Sequence, residues 1–508
     1  MKKIFYFLLC LPFLSITSSA LATDVGGSIT TDTTWTAAGS PYIVLQNVEV
    51  KDGVTLTIEP GTKIAFYQET DQKLDKLFGL SVMGTAKLIA QGTAEAPIVF
   101  TSASPSPKPG DWASVNVFGT DNVIEHVIFE YGAGDIGYDA ALVTDTKNLS
   151  HLTVRNNRKG LLISGDSVTI EDSSFFFNGS YMVLTHANST SLINCTFDSN
   201  KDDIIDSFGS VMVDNCTFTN NEGEVFPSHY GELTITNSIF ENNTSPYGEA
   251  SIINFLGGSL ILRNTLICNN KGKSAIYIQN YEAEEDSVTI ENCTITYNGP
   301  VSTSSSDGDG IYYNGAAGES FSMSNTNIFG NSRYDFMNDG EADVTIPNNY
   351  WGSNDNLQIM LKIYDKFDGQ NKGEVIYQPY LPSLSSAAPA PCNPLTSTTT
   401  TTTIPGGTTT TTIPGGTTTT TTPKPPPCAA EEIYGEQSEQ TELLRKYRDD
   451  VLSKTFEGQE IIKTYYKFSP TATKLLEQNP LLKNWAKAYI DSMLPGIKKK
   501  VEESNKEP

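Results

Sequence analysis

The sequence predicts an all-β solenoid, a right-handed parallel β-helix, followed by a Thr/Pro/Gly-rich linker and a small all-α module. Three observations lead there. A motif, Asn194-Cys195-Thr196-Phe197 with Asn200, returns from Asn215, Asn237, Asn264, Asn292 and Asn325, and more loosely from His126, His151 and Asp172. The nine copies start 25, 21, 22, 21, 22, 27, 28 and 33 residues apart, a spacing that signals one supersecondary unit stacked on itself. Two columns are apolar in every copy. With each start as position zero, position −2 holds Ile124, Leu149, Ile170, Leu192, Val213, Ile235, Leu262, Ile290 and Met323, and position +3 holds Phe129, Val154, Phe175, Phe197, Phe218, Phe240, Ile267, Ile295 and Ile328.

Inward residues at −2, +1 and +3 break the two-residue alternation of a strand once, so the chain must bend at position zero. Asn, Asp and His tolerate the left-handed backbone of such a corner. Position +6 is Asn in eight copies and Gly132 in the first. It reads as a second corner whose amides hydrogen-bond from rung to rung. Two short strands and two corners in about 22 residues leave room for a third strand per turn. Leucine-rich repeats share the period, but their Leu spacing and helices are absent. An antiparallel sandwich would not return one residue type at one phase nine times.

In chain order, residues 1–22 carry Lys2, Lys3, an apolar run and Ala20-Leu21-Ala22, the pattern of a secretory signal peptide too short to span a membrane. Its removal would take away two lysines and move the formal charge from −25 to −27. That acidity argues against nucleic acid or anionic membrane as partner. Residues 23–391 form the solenoid, with less regular coils over 28–121. Loops interrupt the rung spacing at 67–79, 101–111, 280–287 and 299–309. Residues 392–427, rich in Thr, Pro and Gly, are too polar to bury a core and read as a linker. Residues 428–508 read as four short helices, one with Leu443, Leu444, Tyr447, Val451 and Leu452 on a face, one over 458–468, with Pro480 and Pro495 as punctuation.

The chemistry-bearing motifs are few. There is no Cys-x-x-Cys, phosphate loop, His-Glu-x-x-His or Gly-x-Ser-x-Gly, and no cofactor or metal is expected. Asp307 and Asp309 offer a Ca²⁺ loop that lacks its remaining ligands. One cluster stands out. Tyr181, Asp203 and Glu224 share offset +9, and His186, Phe208 and His229 share offset +14, so each set falls on successive rungs. Asp203 and Glu224 would be adjacent carboxylates, with Asp206 and His229 nearby. A carboxylate pair about 5 Å apart can carry retaining glycoside hydrolysis; acidic side chains on a solvated face are the plainer reading. Cys392 and Cys428 flank the linker and are candidates for a disulfide. Cys195 and Cys216 share an inward column and read as stacked free thiols.

Residues Val54–Phe66, Gly92–Ser102 and Gly110–Val115, with Asn348-Asn349-Tyr350-Trp351-Gly352 and the later Gly373–Leu381, resemble the exported bacterial right-handed β-helix proteins. The resemblance covers roughly residues 28–385. It implies the pectate-lyase-like fold, shared by polygalacturonases and pectate lyases. Lys201-Asp202-Asp203 is similar to the Asp-Asp pair of polygalacturonases, but the partner motifs are missing. The C-terminal module partly resembles a carboxy-terminal domain named for a Cys-Phe-Ile box, with Cys428-Ala429-Ala430 where the box should stand. The functional expectation is a secreted or surface-displayed monomeric rod with a structural or glycan- or surface-binding role. The alternative is a hydrolase or lyase acting on a neutral glycan at Asp203, Glu224, Asp206 and His229.

Overall fold

The computed structural model describes residues 22–393 except 69–76, 120, 135–139, 246–250, 280–286, 303–306 and 316–319, and, in the C-terminal segment, 429–454 except 436, then 462, 465, 473 and 480–504. The chain divides into two compact units, residues 1–395 and 396–508.

The first unit is a parallel β-helix. The strand before the first corner pairs with its equivalent one coil later, Ile170 with Leu192 and Leu192 with Val213. The strand between the corners does the same, Phe175 with Phe197, Phe197 with Phe218 and Phe218 with Phe240. A third strand closes each coil, as Leu161 with Val183 and Val183 with Ile205. Two long strands, Phe226–Thr236 and Ile253–Arg263, run from the third face into the next coil's first face. They bend at Gly231 (φ 102°) and Gly258 (φ 105°). A side chain at Gly258 would collide with the Gly231 carbonyl.

The core is an axial stack. Phe175, Phe197, Phe218 and Phe240 are fully buried, with successive ring centroids 4.5, 4.8 and 4.7 Å apart and planes within 15° of parallel. Each ring lies one rung from the next, so face-to-face packing follows from strand spacing.

All nine position-zero residues have φ between 50° and 54°, as the broken alternation requires. The second corner differs from expectation. The left-handed residue is at +5, not +6: Tyr131, Asn156, Phe177, Ser199, Asn220, Asn242, Asn269, Tyr297 and Gly330 all have φ of 54° to 72°. The +6 asparagines turn inward instead and are buried. Asn200 accepts from the backbone N–H and the amide of Asn178 (3.1 and 3.0 Å). It donates to Asn221 Oδ1 (3.1 Å) and to the Phe175 carbonyl (2.9 Å). The same pattern links Asn157, Asn178, Asn200, Asn221, Asn243, Asn270, Asn298 and Asn331 without a break. It ends on the buried carboxylate of Asp335, 2.9 Å from the Asn331 amide. A second, shorter ladder explains the small residues at +1: the Cys195 N–H donates to Cys216 Sγ (3.3 Å) and the Cys216 N–H to Ser238 Oγ (3.0 Å).

Cys195, Cys216 and Cys293 are free and buried. The expected pairing of Cys392 with Cys428 is replaced by a Cys268–Cys392 disulfide spanning 124 residues, with Cα atoms 6.5 Å apart; Cys428 lies outside the described residues. The reason is the path of the tail, which turns back along the coils. Its Pro389 carbonyl accepts from Thr294 Oγ1 (2.5 Å) and its Asn393 carbonyl from Asn269 Nδ2 (2.9 Å), so Cys392 arrives beside Cys268.

The second unit contains helices Ala429–Tyr434, Glu439–Asp450 and Pro480–Ser504. Ser438 caps the middle one, accepting from the Thr441 N–H at 3.1 Å. Pro480 opens the last helix as a first-turn proline should. Pro495, read as punctuation, instead lies inside that 25-residue helix, so one helix stands where two short ones were expected. A mid-helix proline removes one hydrogen bond, and the turns on either side carry the helix past it. Residues 458–468 fall largely outside the described residues. No helix among the described residues is long and apolar enough to cross a membrane.

Phe218→Ala should cost about 3–5 kcal/mol. Asn221→Ala, though it removes fewer atoms, should cost on the order of 3 kcal/mol, because it leaves buried groups on both neighbouring rungs unpaired. Both are read as a fall in denaturant midpoint, and a near-neutral Asn221→Ala would show that the amide ladder contributes little. Non-reducing digestion and mass spectrometry should recover a peptide pair joining Cys268 to Cys392, with Cys195 and Cys216 unpaired; Cys392→Ser should cost about 2–4 kcal/mol.

Candidate functional site

The cluster lies on the third face, just past the second corner. The Met182 N–H donates to the Asp203 carbonyl (3.3 Å) and the Ile204 N–H to the Glu224 carbonyl (2.9 Å). In a parallel ladder this sets Tyr181, Asp203 and Glu224 opposite one another on consecutive rungs. Asp206 leaves the same face from the strand Ile205–Ser207. The Asn254 amide donates to Glu224 Oε2. Among the described residues, Asp203, Asp206 and Glu224 form no ion pair with Lys or Arg. The nearby Lys201 is drawn to Glu222 instead, 3.8 Å away.

Half-burial without a Lys or Arg partner raises all three acids. For Glu224, desolvation and then the Asp203 charge push the pKa up to about 8. Asp203 is raised to about 6, by desolvation first and then by Asp202 and Asp206. Asp206 is raised by burial, against the opposing influence of His186. Of the two, Glu224 is the one pushed further toward its protonated form.

The expected histidine is misplaced. His229 is buried between Phe226 and Phe255, ring centroids 6.4 Å from each. Its Nε2 sits 3.1 Å from the Glu232 carbonyl, and burial pushes its pKa down. The cause is a register shift between Phe226 and His229, which turns the side chain inward. His186 is the imidazole on this face. It meets Phe208 edge-on, centroids 5.1 Å apart, and Phe208 is 73% exposed. A phenyl ring left in water on a face whose three acids, among the described residues, have no Lys or Arg partner is the feature that composition did not single out, although its offset did.

The proposed Ca²⁺ loop has another role. Asp309 is buried, and its carboxylate takes both the Arg333 guanidinium and the Tyr334 N–H (3.1 Å). It serves as a structural ion pair, with little capacity left for a cation; Ser306 lies outside the described residues.

Comparison with known families agrees with this geometry. A family model described as a pectate-lyase like beta helix domain matches residues 27–226, and one for a right handed beta helix region matches residues 181–351. This part of the chain is a right-handed parallel β-helix of the pectate-lyase-like kind. No curated protein and no solved structure matches it. The two matches overlap at residues 181–226, the stretch of the β-helix that carries Asp203, Asp206, Phe208 and Glu224.

The raised acids give a pH signature. A carboxyl whose pKa is raised on folding stabilises the fold fully below its unfolded pKa and loses that contribution as pH rises through the folded value. For Glu224 the window runs from 4.5 to about 8. Glu224→Gln, which keeps the neutral form, should melt close to wild type at acidic pH and a few degrees above it once the pH exceeds the upper value. A difference that does not change with pH would show that Glu224 titrates normally.

Proposed function

We propose that this chain is an exported, monomeric β-helix protein that binds a neutral surface or extracellular polysaccharide on the face formed by Asp203, Asp206, Phe208 and Glu224. The exposed Phe208 ring carries the reading. An aromatic face supplies apolar area for a sugar ring at little entropic cost, and the surrounding carboxyls hydrogen-bond to sugar hydroxyls as charge-assisted acceptors or, for Glu224, as a donor. Polyuronates would meet like charge on this face, so the substrate class is neutral. The signal-like residues 1–22 support export.

A second reading rests on one observation. Glu224 and Asp203 occupy adjacent rungs with pKa values pushed apart, the arrangement in which one carboxyl acts as acid and the other as nucleophile. Glycoside hydrolysis on a neutral chain would then follow binding at the same face.

Affinity electrophoresis against a panel of neutral and acidic polysaccharides separates these possibilities. Retention on a neutral polymer is expected, lost on Phe208→Ala with an unchanged melting temperature, because that ring packs against little. Shortening of the polymer, abolished by Asp203→Asn or Glu224→Gln, would establish the hydrolase. Retention confined to acidic polymers, or unaffected by Phe208→Ala, would overturn the proposal.

A further inference from the structure

The first-corner column contains a second cluster, on residues separate from the third-face group of Asp203, Asp206 and Glu224. At this column the rod carries His126, His151 and Asp172 before the run of asparagines begins. All share the same left-handed backbone, so their side chains leave the rod in one direction, one rung apart. Further along, that geometry lets each side chain bond the next: Asn215 Nδ2 donates to Asn194 Oδ1 (2.8 Å), Asn264 to Asn237 (3.1 Å) and Asn194 to Asp172 (3.1 Å).

The two histidines break this pattern. Their rings stack with centroids 4.1 Å apart and planes 12° from parallel. Among the described residues no ring nitrogen of either is hydrogen-bonded. Glu125 ends the strand Val123–Glu125 immediately before the corner. Gln91 donates to its Oε2 at 2.8 Å, which orients the carboxylate and leaves Oε1 available. One donor atom from each of Glu125, His126 and His151 lies within 4.8 Å of the others, and none of the three residues is fully buried. Two of the four histidines in the chain are thus spent on one exposed corner.

We infer that Glu125, His126 and His151 form a surface site for a divalent transition-metal ion, of which Zn²⁺ is the natural probe. Two imidazole nitrogens and one carboxylate oxygen are a donor set that suits Zn²⁺, with bonds of about 2.0–2.2 Å. Small side-chain rotations at a solvent-facing corner close the present spacing to that distance. The Gln91–Glu125 hydrogen bond supplies the outer contact that fixes a ligand's orientation. Three protein ligands leave a coordination position open to water or to a ligand from outside. The corner backbone is set by the coil whether or not an ion is present, so binding need not be coupled to folding.

The test uses the untagged chain. Isothermal titration with ZnCl₂ should give about one ion per chain, and Co²⁺ should produce visible d–d absorption. His126→Asn and His151→Asn place at each corner the residue that six of the nine copies already use, so the fold is expected to hold. Each should weaken Zn²⁺ at least about tenfold while leaving the metal-free melting temperature and circular dichroism unchanged. The inference is overturned by absence of saturable binding to the wild type. It is equally overturned if binding survives in the His126→Asn/His151→Asn double variant, or is lost only on Glu241→Gln, a carboxylate within 4.8 Å of the Cys268–Cys392 disulfide sulfurs.

Discussion

The amide ladder at position +6 sets the terms for the rest of the rod. Eight buried asparagines would be costly in an apolar interior if any donor or acceptor were left over. Here each amide accepts from the rung before and donates to the rung after, so the cost is met only while every rung is present and in register. That makes register non-negotiable. The copies spaced 27, 28 and 33 residues apart keep the same amide contacts as those spaced 21 or 22; their additional residues are accommodated elsewhere in the coil. The chain of donors must also stop somewhere, and Asp335 provides an end that only accepts. Burial raises that carboxyl to about 6, against the opposing pull of Lys362.

Much of this was legible in the sequence, because the residues that repeat are those a parallel stack constrains. The Phe column and the position-zero corner could be placed from side-chain identity alone. The second corner could not. At +5 the chain carries Phe177, Ser199 and Tyr297 as readily as Asn220, since a left-handed residue there is imposed by the buried asparagine that follows and not chosen for its own preference. Sequence reasoning saw the asparagine and assigned it the corner.

The candidate site shows the same limit from the other side. Equal offset placed Tyr181, Asp203 and Glu224 on neighbouring rungs because no register shift intervenes between them. It failed for His229, five residues further on, where the irregular entry into the strand Phe226–Thr236 reverses which side chains face inward. Offsets measured from one corner hold until the next irregularity. The Cys268–Cys392 pairing was illegible for a different reason: nothing in the local pattern says that residues 385–393 fold back over coils 58 to 124 positions earlier.

That disulfide has a mechanical consequence. Tension applied through the segment downstream of Cys392 would reach the rod at Cys268, through a covalent bond, and not at the end of the last coil. The closing coils between residues 269 and 391 form a loop shunted out of the load path. Strands in a solenoid are otherwise peeled from the end one rung at a time, each opening at low force. Here a pull from the C-terminal side is handed to the rung of Cys268, inside the Asn ladder and past the last of the Phe rings, where several rungs must shear together before any one gives way.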